Sequence, residues 1–187
     1  DLRMSRGLGD VYKRQVDGGS CSVGVESTVV TLACPVPRVL RPGGVTPDQL
    51  RAVLGEVEID KAVFKALESG EKVLSPGMKY KHYSPNAHVI IVKGDFDKFA
   101  SLVAEPRSER TCAVCFDGEE DKISVPAYPY GHADSPEEQA RELFDVLRHV
   151  DDEKMELAFV RFPSLDGVGM AVYNRLLRAA GFEVIEL

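Results

Sequence analysis

Apolar and polar positions follow a regular order in the C-terminal part of the chain, from Asn86 onward. Short apolar runs of strand type alternate there with longer segments whose apolar residues recur at helical spacing. Because strand and helix alternate, the predicted fold class is α/β, with a mostly parallel sheet and helices on its faces. The pattern therefore predicts a Rossmann-like domain over residues 86–187. Its strands are predicted at residues 88–92, 111–116, 123–127, 157–160 and 183–187.

Three helices fit between these strands. The first is predicted at residues 96–103. The second opens with Ser135-Pro-Glu-Glu138, a capping box in which a hydroxyl and a carboxylate satisfy the first backbone N–H groups. The third is expected to end at Gly181. Its apolar stripe consists of Met170, Tyr173, Leu176, Leu177 and Ala180.

Residues 16–85 have a different pattern. β-Branched residues predict a strand at 26–32, and residues 38–41 form a second extended segment that a Pro-Gly-Gly turn interrupts. A Thr-x-x-Gln capping box with proline at the first helical position then predicts a helix over 46–54. These elements are too few for a domain of ordinary size.

Two segments lack any core-forming periodicity. Residues 1–15 resemble a translated adapter sequence, and we expect them to be non-native or disordered. Residues 75–85 read Ser-Pro-Gly-Met-Lys-Tyr-Lys-His-Tyr-Ser-Pro, and each Ser-Pro step favours extended backbone. We interpret them as an ordered linker, the last part of an interdomain helix and linker at residues 56–85.

Composition and charge exclude several classes of protein. The 187 residues are 44% hydrophobic, yet no apolar run approaches the roughly 20 residues that a membrane span needs. Four cysteines are too few for a disulfide scaffold, so a cytoplasmic location is expected. The chain has 12 basic and 10 acidic residues up to Pro85, whereas the residues after Pro85 include 11 basic and 20 acidic ones. We therefore expect an anionic ligand in the first part and no direct RNA binding.

Other candidate groups favour structural roles. Cys112-Ala-Val-Cys115 has zinc-type spacing, but its two cysteines would face opposite sides of a strand. Gly167-Val-Gly169 precedes a helix, where a phosphate could bind, yet it lacks the full glycine-rich fingerprint and favours a tight turn. No metal site is predicted. The histidines expected to be structural or exposed are His88, His132 and His149.

Three segments together resemble one family, the long, two-domain form of threonylcarbamoyl-AMP synthase, whose catalytic domain is called YrdC-like. Asp17-Gly-Gly-Ser-Cys-Ser-Val-Gly-Val-Glu-Ser-Thr-Val-Val30 is similar to a late strand of that domain, although Thr31 stands where the family more often has Asp. Leu40-Arg-Pro-Gly-Gly-Val-Thr46 is similar to its end, and residues 75–85 are similar to the family's linker. A fourth match, at residues 166–180, is like the family's last helix.

The resemblance implies a division of the chain. Residues 16–55 would be the C-terminal part of the catalytic domain, and residues 86–187 would be a Rossmann-like accessory domain. It also implies an upstream part with a Lys-x-Arg element and a Ser-x-Asn-type element, which help to hold ATP and threonine. We therefore expect a C-terminal fragment that is inactive by itself.

The resemblance further implies that the complete enzyme is an L-threonylcarbamoyladenylate synthase. This nucleotidyltransferase combines L-threonine, bicarbonate and ATP into threonylcarbamoyl-AMP and pyrophosphate. Mg²⁺ would bind through the ATP phosphates, and no tightly bound cofactor is expected. The product serves tRNA threonylcarbamoyladenosine modification, so the downstream tRNA threonylcarbamoyl transferase machinery is the implied partner. The alternative is a non-catalytic Rossmann-like regulatory module that binds a small ligand or a protein.

Site residues follow from the same resemblance, and none is assigned as catalytic. Ser27 matches a threonine contact, while Arg41 and Tyr80 match ATP contacts. A solvated Ser27 or Arg41, and a linker whose rings only anchor the two domains, stay open as alternatives. For Thr28 a solvent-facing hydroxyl is favoured. The other candidate lid contacts are Lys79, Lys81, His82 and Tyr83.

Overall fold

The fold consists of two β-sheets with helices packed against the larger one. The structure, a computed structural model, describes residues 16, 18–19, 21–65, 84–105 and 110–187. The predictions for residues 1–15 and for Lys79, Tyr80, Lys81, His82 and Tyr83 lie outside the described residues. No helix in the described ranges has the length and apolar character needed to cross a membrane.

The smaller sheet has three strands: β1 (Val29–Thr31), β2 (Arg38–Arg41) and β3 (Glu58–Ile59). β2 lies in the centre, antiparallel to β1 and parallel to β3. β1 is shorter than the predicted strand at 26–32, because the backbone of residues 26–28 packs against Gly43 and does not extend the ladder.

Helix α1 (Pro47–Leu54) connects β2 to β3, and its capping box is confirmed. The Thr46 hydroxyl accepts a hydrogen bond from the Gln49 backbone N–H at 3.3 Å. The Gln49 side chain accepts one from the Thr46 N–H at 2.9 Å. Gly55 ends the helix with a positive φ of 80°, a conformation that glycine adopts without a steric penalty. A 3₁₀ turn at Lys61–Val63 follows β3.

The larger sheet confirms the predicted Rossmann-like class. Its strands are all parallel and lie in the order β6-β5-β7-β4-β8. Every connection between them therefore has to cross over a face of the sheet. The strands are β4 (His88–Lys93), β5 (Thr111–Cys115), β6 (Ala127–Pro129), β7 (Leu157–Arg161) and β8 (Val184–Glu186).

Three helices cover this sheet: α2 (Phe96–Val103), α3 (Pro136–Asp152) and α4 (Gly169–Ala179). Alternate residues of one strand enter different cores, as the pleat requires. Val89 and Ile91 pack in a core that includes residues of α3 and α4, whereas Ile90 and Val92 pack with residues of α2. The sheet is therefore buried on both faces.

Two local predictions are wrong. The strand expected at 123–127 is found at Ala127–Pro129, after a 3₁₀ turn at Glu120–Lys122, because only Ala127 and its successors pair with β5. The capping box expected at Ser135 does not form, since the Ser135 side chain makes no capping hydrogen bond. Glu138 instead accepts hydrogen bonds from the backbone and ring of His132.

Candidate functional site

The structure brings together two of the predicted site residues, Ser27 and Arg41. The Arg41 guanidinium donates to the Ser27 backbone carbonyl from Nε at 3.1 Å and from Nη2 at 2.9 Å. Nη2 also lies 3.2 Å from the Ser27 hydroxyl oxygen. Ser27 is exposed to solvent, so its hydroxyl and the adjacent guanidinium form a polar surface at the start of β1.

Strand pairing and a close backbone approach produce this arrangement. Arg41 lies opposite Val29 in the antiparallel ladder, which places its side chain near the residues that precede β1. A Cβ atom on Gly43 would lie 2.2 Å from the Glu26 carbonyl oxygen and 2.5 Å from the Thr28 nitrogen. Only glycine therefore lets the Pro-Gly-Gly turn pack against the Glu-Ser-Thr segment.

The prediction of a solvent-facing Thr28 hydroxyl is wrong, because the hydroxyl is bonded to the backbone. Its Oγ1 donates to the Val45 carbonyl at 2.6 Å and accepts from the Val45 N–H at 3.1 Å. One side chain thus satisfies both backbone groups of Val45 and fixes the residue that follows the turn. Thr28 is a structural residue of the site, while Ser27 presents the accessible hydroxyl.

The chemistry of this surface suits a small polar or anionic ligand. A hydroxyl can donate and accept, and a guanidinium binds carboxylate or phosphate oxygens through directed N–H groups. Two of the three guanidinium nitrogens of Arg41 already contact Ser27. Its Nη1 makes no hydrogen bond to any residue that the structure describes, so it remains available to an anion.

Ser84 and Asn86, just before β4, are held by helices α4 and α3. The Ser84 hydroxyl donates to the Arg178 carbonyl at 3.4 Å, at the end of α4. The Asn86 N–H donates to an Asp151 carboxylate oxygen at 2.6 Å, at the end of α3. The chain therefore leaves the linker at a defined point, beside the C-terminal ends of two helices.

A contact that the sequence did not predict joins the Glu-Ser-Thr segment to α4. The Arg175 guanidinium donates from Nε to a Glu26 carboxylate oxygen at 2.5 Å, and its Nη2 contacts the other oxygen. Asn174 and Arg178 donate to the Val63 and Ala62 carbonyls, at 2.6 Å and 2.7 Å. No sequence pattern reveals these contacts, because the partners lie more than 100 positions apart.

A second polar cluster lies at the carboxyl edge of the larger sheet. Nδ1 of His132 lies 2.7 Å from a Glu138 carboxylate oxygen and 3.3 Å from one of Asp117. The hydrogen bond to Glu138, helped by its charge and that of Asp117, raises the pKa of His132, and the same bond lowers the pKa of Glu138. The three groups suit a divalent cation by type, but they already satisfy one another, so we assign no metal there.

The other candidates have structural roles. Cys112 and Cys115 are fully buried in β5, and burial raises the pKa of each thiol to about 12. Gly169 donates its N–H to the Asp166 carbonyl at 2.9 Å, which closes the tight turn before α4. His88 pairs with Glu183 at 2.6 Å, and the ring of His149 packs edge-on against Tyr128.

Known protein sequences match most of the chain. The family model of the threonylcarbamoyl-AMP synthase C-terminal domain matches residues 45–181. Threonylcarbamoyl-AMP synthase of Bacillus subtilis is 39% identical over 176 residues, which cover 91% of this chain and 49% of the relative. That of Pyrococcus abyssi is 37% identical over 177 residues, which cover 92% and 50%. The chain thus spans about half the length of these curated relatives.

Solved structures agree with the sequence matches. A double-substitution variant of Pyrococcus abyssi Sua5 superimposes with a TM-score of 0.78 at 34% identity, over 91% of this chain and 49% of that one. Pyrococcus abyssi Sua5 complexed with L-threonine gives a TM-score of 0.75 at 35% identity, over 91% and 50%. The family model, the identities and the shared fold lead to one conclusion: this chain belongs to the threonylcarbamoyl-AMP synthase family and contains its C-terminal domain.

Proposed function

We propose that the complete protein containing this chain makes threonylcarbamoyl-AMP and pyrophosphate from L-threonine, bicarbonate and ATP. The observation that carries this proposal is the contact between Arg41 and Ser27, which sets a guanidinium beside an exposed hydroxyl. Membership of the family and the likeness to a relative solved with L-threonine support it.

The reaction sets clear physical demands on such a site. The threonine nitrogen and bicarbonate first give a carbamate with loss of water. A carbamate oxygen then attacks the α-phosphorus of ATP, a new O–P bond forms, and the bond to the leaving pyrophosphate breaks. Positioning of the two substrates and neutralisation of phosphate charge lower this barrier, while exclusion of water protects the labile carbamate and anhydride. Mg²⁺ enters with the nucleotide.

We assign the residues of this chain as follows. Ser27 binds threonine through its hydroxyl, and Arg41 donates to the nucleotide while it holds the Ser27 backbone. Tyr80 contacts ATP from the linker. The neighbouring linker side chains cover the bound nucleotide as a lid: Lys79, Lys81, His82 and Tyr83.

The product's chemistry implies the next step. A mixed anhydride of a carbamate and AMP is an activated acyl group, so a transferase must pass the threonylcarbamoyl group to tRNA. We place this pathway in the cytoplasm, where the four free cysteines of the chain would stay reduced.

The proposal is tested in the full-length protein by following threonylcarbamoyl-AMP and pyrophosphate with each substrate omitted in turn. We expect product only when threonine, bicarbonate and ATP are all present. Ser27→Ala removes the proposed threonine contact and should raise the KM for threonine on the order of 10-fold or more. Ser101→Ala is the matched control, because this hydroxyl lies on α2 and bonds only its own helix at Asp97. A wild-type protein that forms no threonylcarbamoyl-AMP would contradict the proposal.

A further inference from the structure

Helix α4 packs on the larger sheet and, on its other side, contacts Glu26 and the 3₁₀ turn at Lys61–Val63. Its residues Val172, Leu176 and Leu177 pack into the core of the larger sheet. The side of the helix that faces these partners carries polar residues that are also buried. Among its polar residues, Asn174 is 5% and Arg175 is 8% exposed. A buried polar face needs specific partners, since each unpaired group there would lose its hydration without compensation.

The pair of Arg175 and Glu26 is the strongest of these docking contacts. Both guanidinium nitrogens that face Glu26 reach different carboxylate oxygens, which is the fork geometry of a bidentate pair. The Arg175 side chain is 8% exposed and the Glu26 side chain 29%. The geometry fixes the direction of the Glu26 side chain as well as its distance, which a lysine at position 175 could not do.

Glu26 directly precedes Ser27, and the backbone around both is enclosed by elements of the two units. A Cβ on Gly24 would lie 2.2 Å from the Ala140 carbonyl oxygen of α3. Arg41, from β2, holds the Ser27 carbonyl on the other side. The position of this segment is therefore fixed by α3 and α4 at residues 24 and 26, and by Arg41 of β2 at residue 27.

We propose that Arg175 is a positioning residue, through which the accessory domain holds Glu26 and thereby orients the Ser27 hydroxyl for threonine. This inference rests on the proposed function, because it concerns the substrate assigned to Ser27. Displacement of a binding group by about 1 Å can cost on the order of 100-fold in rate, so a contact one residue away affects catalysis. It also gives the accessory domain a part in substrate binding beyond carrying the linker.

The test compares full-length wild type with Arg175→Gln and Glu26→Gln. We expect each to raise the KM for threonine on the order of 10-fold and to change the KM for ATP less, because Arg41 stays fixed in the β2 ladder. The double variant should be no worse than either single one, since both remove the same contact. Arg175→Lys keeps the charge without the fork and should give an intermediate KM.

Asn174→Ala is the matched control on the same helix. It removes a buried docking hydrogen bond to the Val63 carbonyl, a contact in which Glu26, Ser27 and Thr28 take no part. We expect it to lower the melting temperature and to leave the KM for threonine within about 2-fold of wild type. A rise in KM equal to that of Arg175→Gln would overturn the inference, because any loosening of the interface would then suffice.

The two proposals fail in different ways. A wild-type protein without threonylcarbamoyl-AMP synthesis contradicts the proposed function. An active wild type whose two Gln variants keep its KM for threonine contradicts only the role of Arg175. If Arg175→Gln does not fold, Glu26→Gln decides, because the Glu26 side chain is more exposed than that of Arg175 and borders an open cleft of about 640 Å³.

Discussion

Ser27 and Arg41 stand 14 positions apart, and neither makes a site without the other. The sequence predicts the two extended segments that carry Ser27 and Arg41, and the Pro-Gly-Gly turn that directly follows Arg41. It does not predict that two nitrogens of Arg41 donate hydrogen bonds to Ser27. These bonds depend on the pairing of Arg41 with Val29 between β2 and β1. The family resemblance predicts a role for each residue, and this stays a prediction, whereas their mutual geometry depends on the fold.

Gly43 offers a test of the close approach behind this geometry. Gly43→Ala would place a methyl group 2.2 Å from the Glu26 carbonyl oxygen, and the backbone on that side is held by other contacts. We expect a loss of about 1–3 kcal/mol in the free energy of unfolding, measured with denaturant. Gly18→Ala is the control, because among the described residues no atom beyond its chain neighbours lies within 4 Å of the added Cβ. Equal stability of the two variants would show that the turn can move away from residues 26–28.

His132 gives a pH-dependent contribution to stability. Its pKa is raised above the ordinary 6.5, so its contribution is complete below that value and disappears as the pH rises through the raised pKa. The pKa of Glu138 is lowered below 4.5, so its contribution disappears as the pH falls through the lowered value. The stability difference between wild type and His132→Gln should therefore be largest between pH 4.5 and 6.5. Unfolding followed from pH 4 to 9 checks this, and a difference that does not vary with pH would contradict it.

At the level of elements, two capping boxes of similar sequence behave differently. Thr46→Ala should cost about 1 kcal/mol of unfolding free energy, because it removes the acceptor for the Gln49 N–H. Ser135→Ala should cost less than about 0.5 kcal/mol, since that side chain makes no capping bond. Denaturant unfolding of both variants makes each the control of the other. A larger loss for Ser135→Ala would show that its hydroxyl caps α3 in solution.

Periodicity predicted elements well where local sequence decides the structure. The core residues of α2 and the buried strands β4, β5 and β7 follow their spacing. Ile123 and Val125 misled the strand prediction, because they pack on the core without joining the ladder. The burial of the polar residues of α4 could not be predicted from the sequence either. Their partners lie in a distant part of the chain, and local spacing does not depend on such contacts.

At the scale of the whole molecule, the charge asymmetry fits the division of the fold. The part up to Pro85 has a small excess of basic residues and holds the Ser27–Arg41 surface, whereas the larger sheet belongs to the acidic part. An anionic substrate would meet its partners on the smaller unit and be repelled by much of the larger one. This distribution of charge is consistent with the positioning role that we propose for Arg175, and we assign no anion site to the larger sheet.

The polar residues of α4 also determine which groups would become exposed if the helix separated from Glu26 and the 3₁₀ turn. Asn174, Arg175 and Arg178 would then be hydrated, while Tyr173 would lose its ring contact with Phe64 and Val25 its packing on the larger core. Of the three polar contacts, the Arg175–Glu26 pair is the ionic one, and its partial burial limits how far dissolved salt screens it. Raised ionic strength should therefore loosen the hold of α4 on Glu26 only slightly, in a protein without any substitution.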